Sequence, residues 1–459
     1  MNKTEKHKGI SPYLLVLLSF VVVILIGSVL LTLPIAHVDG EWGNYMDSLF
    51  IATSATCVTG LCTYVKGIGG ELTHFGQIVT LVMIQIGGLG FVTIFAFFVS
   101  IFIRKLKFKD RLFLSQAVNS TTVAEVNKFV GRVIIIVLTC ETVGTIAGLP
   151  VFLESGYYST SEAIWASLFT AVSAFNNAGF DIFGNTSLVL NAGNPFIESL
   201  PAWAYYYLCS YIMVLIVLGG ISFVVIIELV FLHKKPRQWS AFTKIVLLTT
   251  AILLVAGFGL FCVTDVLNGN MNVFEALFQS VTTRTAGFAV YDQGQLSTAG
   301  KTISSLLMFI GGSPIGTAGG IKTTTIFMIA LSFIRFIQGK DIYAFKRTYS
   351  RISILKAMSL VFLSLIIVIT GYILIISFET ANPLATSEIV LFEVFSAFGT
   401  VGLSANFTTS ISLGSKIVIC VLMFFGRLGP ISMFQIFQHN MDNQESKHFE
   451  YISSDVIIG

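Results

Sequence analysis

The sequence contains too few charged residues for a soluble globular protein. Asp, Glu, Lys and Arg make up 11% of its 459 residues, whereas hydrophobic residues make up 54%. Soluble domains carry roughly 25% charged residues. Apolar runs recur along the whole length and leave no room for a large soluble domain. The composition therefore predicts an integral membrane protein, with polar stretches confined to residues 1–9 and the tail after His439.

The sequence also lacks the side-chain groupings that catalysis and cofactor binding need. Cys57 and Cys62 have no second CxxC and no clustered histidine beside them, which argues against a zinc site. No GxGxxG follows a strand, and Lys322 follows Ile321 rather than the glycine of a Walker A motif. An intramembrane enzyme would need a nucleophile–base set, a metal cluster or a cofactor lysine, and none is visible. The sequence therefore predicts a protein that is not an enzyme.

Eight segments are long and apolar enough to cross a bilayer, which takes about 20 residues. Lys and Arg cluster at 3–8, 104–132, 234–244 and 335–356 and at Lys447, whereas the alternate connections are acidic. The positive-inside rule then places both termini and the basic loops of this multi-pass protein in the cytoplasm. The eight segments are 13–35, 76–103, 130–152, 203–232, 242–263, 303–336, 354–378 and 417–437.

A pattern that occurs four times organises the chain. Between paired spans lie shorter semi-apolar stretches at 47–56, 161–175, 273–283 and 388–398, which suit re-entrant half-helices. Each leads into a small-polar segment with one glycine: SATCVTGL (54–61), SAFNNAGF (173–180), VTTRTAGF (281–288) and SAFGTVGL (396–403). A second mark follows in the next span: GGLG, GGIS, GGSP and GRLG, starting at residues 87, 219, 311 and 426. The repeats predict an all-α integral membrane protein with a fourfold pseudo-symmetric pore of four helix–half-helix–filter loop–helix units.

Four re-entrant loops suit a pathway for cations. Re-entrant backbone at membrane depth must line water or protein, because lipid cannot satisfy its polar groups. Stacked carbonyls can replace the hydration shell of an ion, and glycine permits the backbone conformations that point them inward. The half-helices would aim the negative ends of their dipoles at the axis. A carrier of another solute is the alternative, although such transporters show two repeats rather than four loops.

These motifs, together with GRLGP at 426–430, resemble the Ktr/Trk/HKT superfamily of potassium transporters, and most of all its bacterial KtrB-type membrane subunits. The resemblance covers nearly the whole chain. It implies K⁺ uptake across the bacterial plasma membrane, often as Na⁺-dependent symport, by a homodimer with one pore per protomer. It implies a cytosolic ring of KtrA- or KtrC-like RCK subunits that alone binds nucleotide, no covalently bound cofactor and no nucleic acid. The expected units are 10–110, 128–234, 240–340 with a broken second helix and 350–440, followed by a cytosolic tail at 441–459.

The expected filter would coordinate K⁺ through backbone carbonyls of the four loops. In the superfamily a serine at the first filter glycine accompanies sodium preference, so the glycine at this position and the other three favours potassium. The expected filter residues are Cys57, Val58, Thr59, Gly60, Asn176, Asn177, Ala178, Gly179, Arg284, Thr285, Ala286, Gly287, Gly399, Thr400, Val401 and Gly402.

The sixth span should be interrupted. Its GGSPIGTAGG stretch (311–320) cannot hold a regular helix, and the alternative to an unwound segment is a simple kink. In the superfamily the matching segment is an intramembrane gate, beside which an arginine in the last span can bond its carbonyls; Arg427 occupies that place. Arg284 is expected to brace the filter from behind, and Glu141 to pack against a polar neighbour. The expected gate residues are Gly312, Ser313, Pro314, Gly316, Thr317, Ala318, Gly319, Gly320 and Arg427.

Overall fold

Helices dominate the computed structural model, which describes residues 12–102, 123–184, 187–190, 192–232 and 235–429. The basic segment 3–8, most of the basic segment 104–132, residues 430–437 of the predicted last span and the tail 441–459 lie outside these residues. One two-stranded hairpin, β1 (Tyr343–Ala344) and β2 (Arg347–Thr348), joins two helices. The helices are α1 Pro12–Thr32, α2 Tyr45–Thr56, α3 Gly67–Glu71, α4 His74–Phe102, α5 Val123–Glu154, α6 Thr160–Phe175, α7 Pro195–Ser199, α8 Ala202–Gly220, α9 Phe223–Ile226, α10 Ala241–Phe261, α11 Val273–Thr282, α12 Thr298–Phe309, α13 Thr323–Ile337, α14 Arg351–Phe378, α15 Ser387–Gly399 and α16 Leu413–Leu428.

The four predicted half-helices are present as α2, α6, α11 and α15, each within two residues of its expected bounds. Their starts are set by polar caps on the chain. Ser159 and Glu162 form a capping box at α6, with Ser159 N donating to Glu162 Oε2 at 2.9 Å. Asn272 and Glu275 do the same at α11, where Glu275 N donates to Asn272 Oδ1 at 2.9 Å. Such caps satisfy amide groups that the first helical turn leaves without partners.

Contacts between the helices close the four units into a ring. The half-helices α2, α6 and α15 each pack between the two long helices of their own unit. Each half-helix also packs against the second long helix of the unit before it: α6 on α4, α11 on α8 and α15 on α12. The half-helix of the first unit, α2, packs on α16 of the last. All four half-helix C-termini therefore meet inside one enclosure.

Several helices have the length and composition of membrane spans. Among the described residues, 128–154 of α5, all of α8, 241–266 (α10 and its extension) and all of α14 are long and apolar enough to cross a bilayer. Their large apolar side chains face outward; Ile146 is 67% exposed, Val255 71% and Phe362 68%. Outward apolar side chains are the reverse of a soluble protein surface and suit lipid contact.

Two predicted spans are interrupted, and only one of the breaks was expected. The predicted break in the sixth span separates α12 from α13. The fourth predicted span, 203–232, is wrong as a continuous helix: α8 ends at Gly220 and α9 begins at Phe223. The carbonyls of Gly219 and Gly220 instead accept hydrogen bonds from Thr317 N at 3.3 Å and Ser313 N at 3.2 Å. Backbone amides from the interrupted sixth span thus donate to the carbonyls at the end of α8, where the fourth span is interrupted.

Candidate functional site

The four loop glycines lie against one another at the centre of the ring. A methyl group added at Gly60 would lie 2.6 Å from Ala178 O and 3.0 Å from the Cα of Gly179. One added at Gly179 would lie 2.8 Å from both Ala286 O and the Cα of Gly287.

The other two glycines continue the same cycle. A methyl group at Gly287 would collide with Val401 O, and one at Gly402 with Thr59 O, which returns the cycle to the first loop. Each glycine therefore faces the carbonyl that immediately precedes the glycine of the next loop. No larger residue fits at any of the four positions unless a neighbouring loop moves.

All four loops share an uncommon backbone conformation. The glycines have φ values of 102°, 70°, 84° and 95° in chain order. The residue two positions earlier is also left-handed in each loop: Val58 (φ 57°), Asn177 (φ 59°), Thr285 (φ 70°) and Thr400 (φ 50°). Three of these are β-branched residues, for which this region is sterically costly. Strain that occurs at the same place in four loops indicates a site that the surrounding structure holds in place for function.

The loop amides turn back toward their own half-helices. Thr59 N donates to Ser54 O, Ala178 N to Ser173 O and Val401 N to Ser396 O, each at 2.8 Å, and Ala286 N donates to Thr282 O at 2.9 Å. Gly60 N and Gly402 N donate to the hydroxyl oxygens of Ser54 and Ser396, both at 3.1 Å. Because the donors are used behind the loops, the carbonyls are the polar groups left to face the centre. Such an arrangement suits a cation rather than an anion.

The second sequence mark has a packing reason in three of the four units. An added methyl group at Gly87, Gly219 or Gly426 would collide with the carbonyl of Thr56, Phe175 or Phe398, respectively. Each of these carbonyls lies four residues before a loop glycine. The mark therefore lets a long helix approach the end of a half-helix at backbone distance. In the third unit Gly311 instead lies against Gly319 O, within the interrupted span.

A cavity of about 450 Å³ lies over one side of the four glycines. All four glycines line it, together with polar side chains of the connecting loops, including Asp181, Asp292, Gln293, Asn406 and Thr408. Its lining contains two carboxylates and no Lys, Arg or His side chain of the described residues. Burial raises the pKa of Asp181 to about 6. The lining is therefore electronegative at neutral pH, which favours the approach of cations.

The interrupted part of the third unit, residues 311–322, lies on the opposite side of the loops; we call it the inner segment. Thr317 Oγ1 donates to Phe175 O at 3.4 Å, and an added methyl group at Gly319 would collide with Thr400 Oγ1. Ser313 and Thr317 are fully buried and Ala318 is 2% exposed. The glycine content suggests a loosely packed stretch, but most of the segment is buried, and the amides of Ser313 and Thr317 donate to carbonyls at the end of α8.

Three cationic side chains donate hydrogen bonds to carbonyls of this region. Arg427 donates from Nη1 to Thr317 O and from Nη2 to Gly87 O. Lys322 Nζ donates to Ala318 O at 2.7 Å. Arg284 donates from Nη1 to Ile310 O and from Nη2 to Gly311 O at 2.6 Å. Arg284 therefore does more than brace its own loop, because it joins that loop to the start of the inner segment.

Polar side chains behind the second loop form a separate network. Glu141, which the sequence leaves without a partner, is 6% exposed and accepts from Asn176 Nδ2 at 2.9 Å and from Gln85 Nε2 at 3.2 Å. When its amide is oriented so that donors face acceptors, Asn177 donates to Ala174 O and Ile216 O, both at 3.1 Å. Sequence reasoning missed Gln85, whose polarity within an apolar run could have drawn attention to it, and assigned no role to Lys322.

Comparison with known proteins identifies the family. The family model TrkH, described as cation transport protein, matches residues 10–448. The chain belongs to the TrkH family of cation transport proteins. TrkH-family membership makes it a multi-pass membrane transport protein and not an enzyme.

Relatives match this TrkH-family chain from end to end. The potassium/sodium uptake protein NtpJ of Enterococcus hirae is 34% identical over 100% of this chain and 99% of the relative. The Ktr system potassium uptake protein B of Bacillus subtilis is also 34% identical, with the same coverage. The crystal structure of the potassium transporter TrkH from Vibrio parahaemolyticus superposes with a TM-score of 0.69, covers 95% of this chain and 86% of that one, and is 17% identical in sequence. The likeness confirms the expected helical membrane fold.

Proposed function

We propose that this TrkH-family chain takes up potassium ions across the bacterial plasma membrane, with a dependence on sodium. Support comes from the full-length relatives, one named as a potassium/sodium uptake protein and another as a potassium uptake protein of a Ktr system. In this proposal K⁺, and Na⁺ where it is coupled, are the transported ions, and the chain itself carries no cofactor. The acidic cavity is the outer entrance.

The selectivity filter is built from the backbone carbonyls of residues 57–60, 176–179, 284–287 and 399–402. The observation that carries this assignment is the cycle of four left-handed glycines, each facing the carbonyl before the next. The orientation of the loop amides adds to it, since the carbonyls remain available to replace water around an ion. A glycine at all four positions favours potassium.

Residues 312–320 of the inner segment act as the gate. Arg427 keeps the gate in place through its hydrogen bond to Thr317 O. Two features support this role: the segment covers the inner ends of the loops, and its conformation depends on hydrogen bonds that can break. Such a segment can have two arrangements whose balance a partner shifts by binding one of them better.

The proposed assembly is a homodimer with one pathway per protomer, set on a cytosolic ring of KtrA- or KtrC-like RCK subunits that bind the nucleotide. The basic loops and both termini then lie in the cytoplasm, which agrees with the distribution of Lys and Arg along the sequence.

Serine substitution at the four glycines tests the filter. We expect each single Gly→Ser variant at 60, 179, 287 or 402 to let Na⁺ compete with Rb⁺ uptake more strongly, because the added side chain displaces a neighbouring carbonyl. Gly40→Ser is the matched control: Gly40 has φ 71° but open space where a Cβ would go. It therefore carries the backbone strain without the clash. Unchanged competition in all four variants would refute the filter.

A further inference from the structure

The residue three positions before each loop glycine lies where the half-helix ends and the loop begins. It differs in every unit: Cys57, Asn176, Arg284 and Gly399. Two of the four have side chains that bond to other parts of the protein. Arg284 bonds to the inner segment, whereas Asn176 bonds to a carboxylate on another helix. The second loop is thus held from behind by an acidic side chain.

The contacts of Asn176 form a closed ring of three side chains from three helices. Asn176 is fully buried, and its Nδ2 lies 2.9 Å from Glu141 Oε1, 3.2 Å from Gln85 Oε1 and 2.9 Å from Val172 O. Gln85 Nε2 completes the ring by donating to Glu141 Oε2 at 3.2 Å. Three acceptors around one nitrogen fix the orientation of the Asn176 amide.

The absence of a side chain at Gly88 leaves room for the Asn176 amide in this orientation. Asn176 Oδ1 accepts no hydrogen bond from any described residue and lies beside Gly88, where an added methyl group would collide with it. The adjacent Gly87 carries the carbonyl that Arg427 bonds. The stretch of α4 around 85–88 therefore contacts both the second loop and the residue that holds the inner segment.

A carboxylate is a costly choice for this position. Glu141 lies inside an apolar span, and among the residues that the structure describes its carboxylate oxygens accept only from two neutral amides. Glutamine has nearly the same shape and no charge to desolvate, but its single amide oxygen can replace only one of the two carboxylate oxygens that accept from Asn176 and Gln85. What the carboxyl group of Glu141 adds is a second acceptor oxygen, so that Asn176 and Gln85 each donate to an oxygen of their own.

We propose that Glu141 is a positioning residue for ion selection: through Asn176 it fixes the carbonyl positions of the second filter loop, although it contacts no ion. The inference rests on the proposed filter. Asn176 is the first residue of the second loop, and the next residue, Asn177, is held in a left-handed conformation. A change in where Asn176 is anchored is therefore passed to the carbonyls of Asn177 and Ala178.

The test compares Glu141→Gln with Glu379→Gln. Glu379 is 4% exposed and is therefore about as buried as Glu141. It accepts from Ser412 N and Ser415 Oγ, both at 2.6 Å, and so joins α14 to α16 away from the loops. Na⁺ competition with Rb⁺ uptake, insertion and thermal stability are measured for both variants. We expect Glu141→Gln to change the competition constant by about two- to tenfold, the range of a net hydrogen bond, with no such change for Glu379→Gln.

A double-variant cycle separates positioning from general stability. Once Asn176→Ala has removed the amide, Glu141→Gln should have no further effect on selectivity. Loss of stability without a change in selectivity would overturn the inference. If Glu141→Gln does not insert, Gln85→Met removes one donor to the carboxylate at similar volume, and the same selectivity shift is required of it.

Gly179→Ser in the same assay distinguishes the two possible failures. If Gly179→Ser changes competition but neither Glu141→Gln nor Gln85→Met does, the filter stands and Glu141 has only a structural role. If none of them changes competition, the second loop is not part of a filter, and the positioning role fails with it.

Discussion

Replacing Arg427 by glutamine measures how firmly the inner segment is held. Its guanidinium joins Thr317 O of the segment to Gly87 O of α4, so only one of its two bonds must break when the segment moves. A hydrogen bond to a charged group contributes about 1.5–3 kcal/mol. Loss of that bond should therefore shift the ratio of closed to open forms by about 10- to 160-fold.

The expected change in flux follows from that shift. If about 1% of the molecules are open at the start, a tenfold shift opens about 9% and a 160-fold shift about 60%. We therefore expect Arg427→Gln to raise Rb⁺ flux into liposomes about 9- to 60-fold in the absence of a regulatory partner, after correction for inserted protein.

Arg335→Gln is the matched control for this measurement. Arg335 also donates to a main-chain carbonyl, that of Tyr343 at 3.2 Å, but does so at the hairpin beyond α13. Its replacement removes a similar bond without touching the inner segment. If correctly inserted Arg427→Gln has unchanged or lower flux, Arg427 does not hold a closed form.

Three further outcomes are expected. Deleting residues 313–319 should raise flux in the same assay, and its effect should be less than additive with Arg427→Gln because both release one segment; lower flux would make the segment a structural kink. Single cysteines in loop 335–356 should react with impermeant thiol reagents only from the cytoplasm, and those in 181–191 only from outside; the reverse pattern would overturn the orientation. Uptake should fall as external pH falls through about 6, because Asp181 is charged above its raised pKa and neutral below it, and a pH step that survives in Asp181→Asn would assign it to another group.

The half-helices could be predicted from sequence because local signals set them. Their length is too short to span, their first turns carry capping residues such as Ser159 with Glu162, and glycine punctuates the loop that follows. The aligned loops also indicated which residues meet at the centre. Within each unit these features lie only a few residues apart, so they can be found without knowledge of long-range contacts or an alignment of homologues.

The parts that the sequence did not reveal depend on distant contacts. GGLG in α4 and GGIS at the end of α8 look alike, yet only the second breaks its helix, because Ser313 and Thr317 supply amide donors from about 100 residues away. The left-handed conformation of Val58, Thr285 and Thr400 goes against the preference of β-branched residues. The partners of Glu141 lie on other helices, so its network could not be anticipated.

The proposed pathway uses main-chain carbonyls in two opposite ways. At the loops, the amides bond backward and leave the carbonyls free for an ion. At the inner segment, Arg284, Lys322 and Arg427 donate to carbonyls, and the two arginines add positive charge close to the proposed path. Widening this region while the two arginine side chains stay in place would leave a charge that repels cations, whereas removing Thr317 frees Arg427 to move. Opening must also move these side chains away from the carbonyls, so neutral variants at Arg427 should conduct more than a lysine variant of equal insertion, whose remaining charge preserves the repulsion.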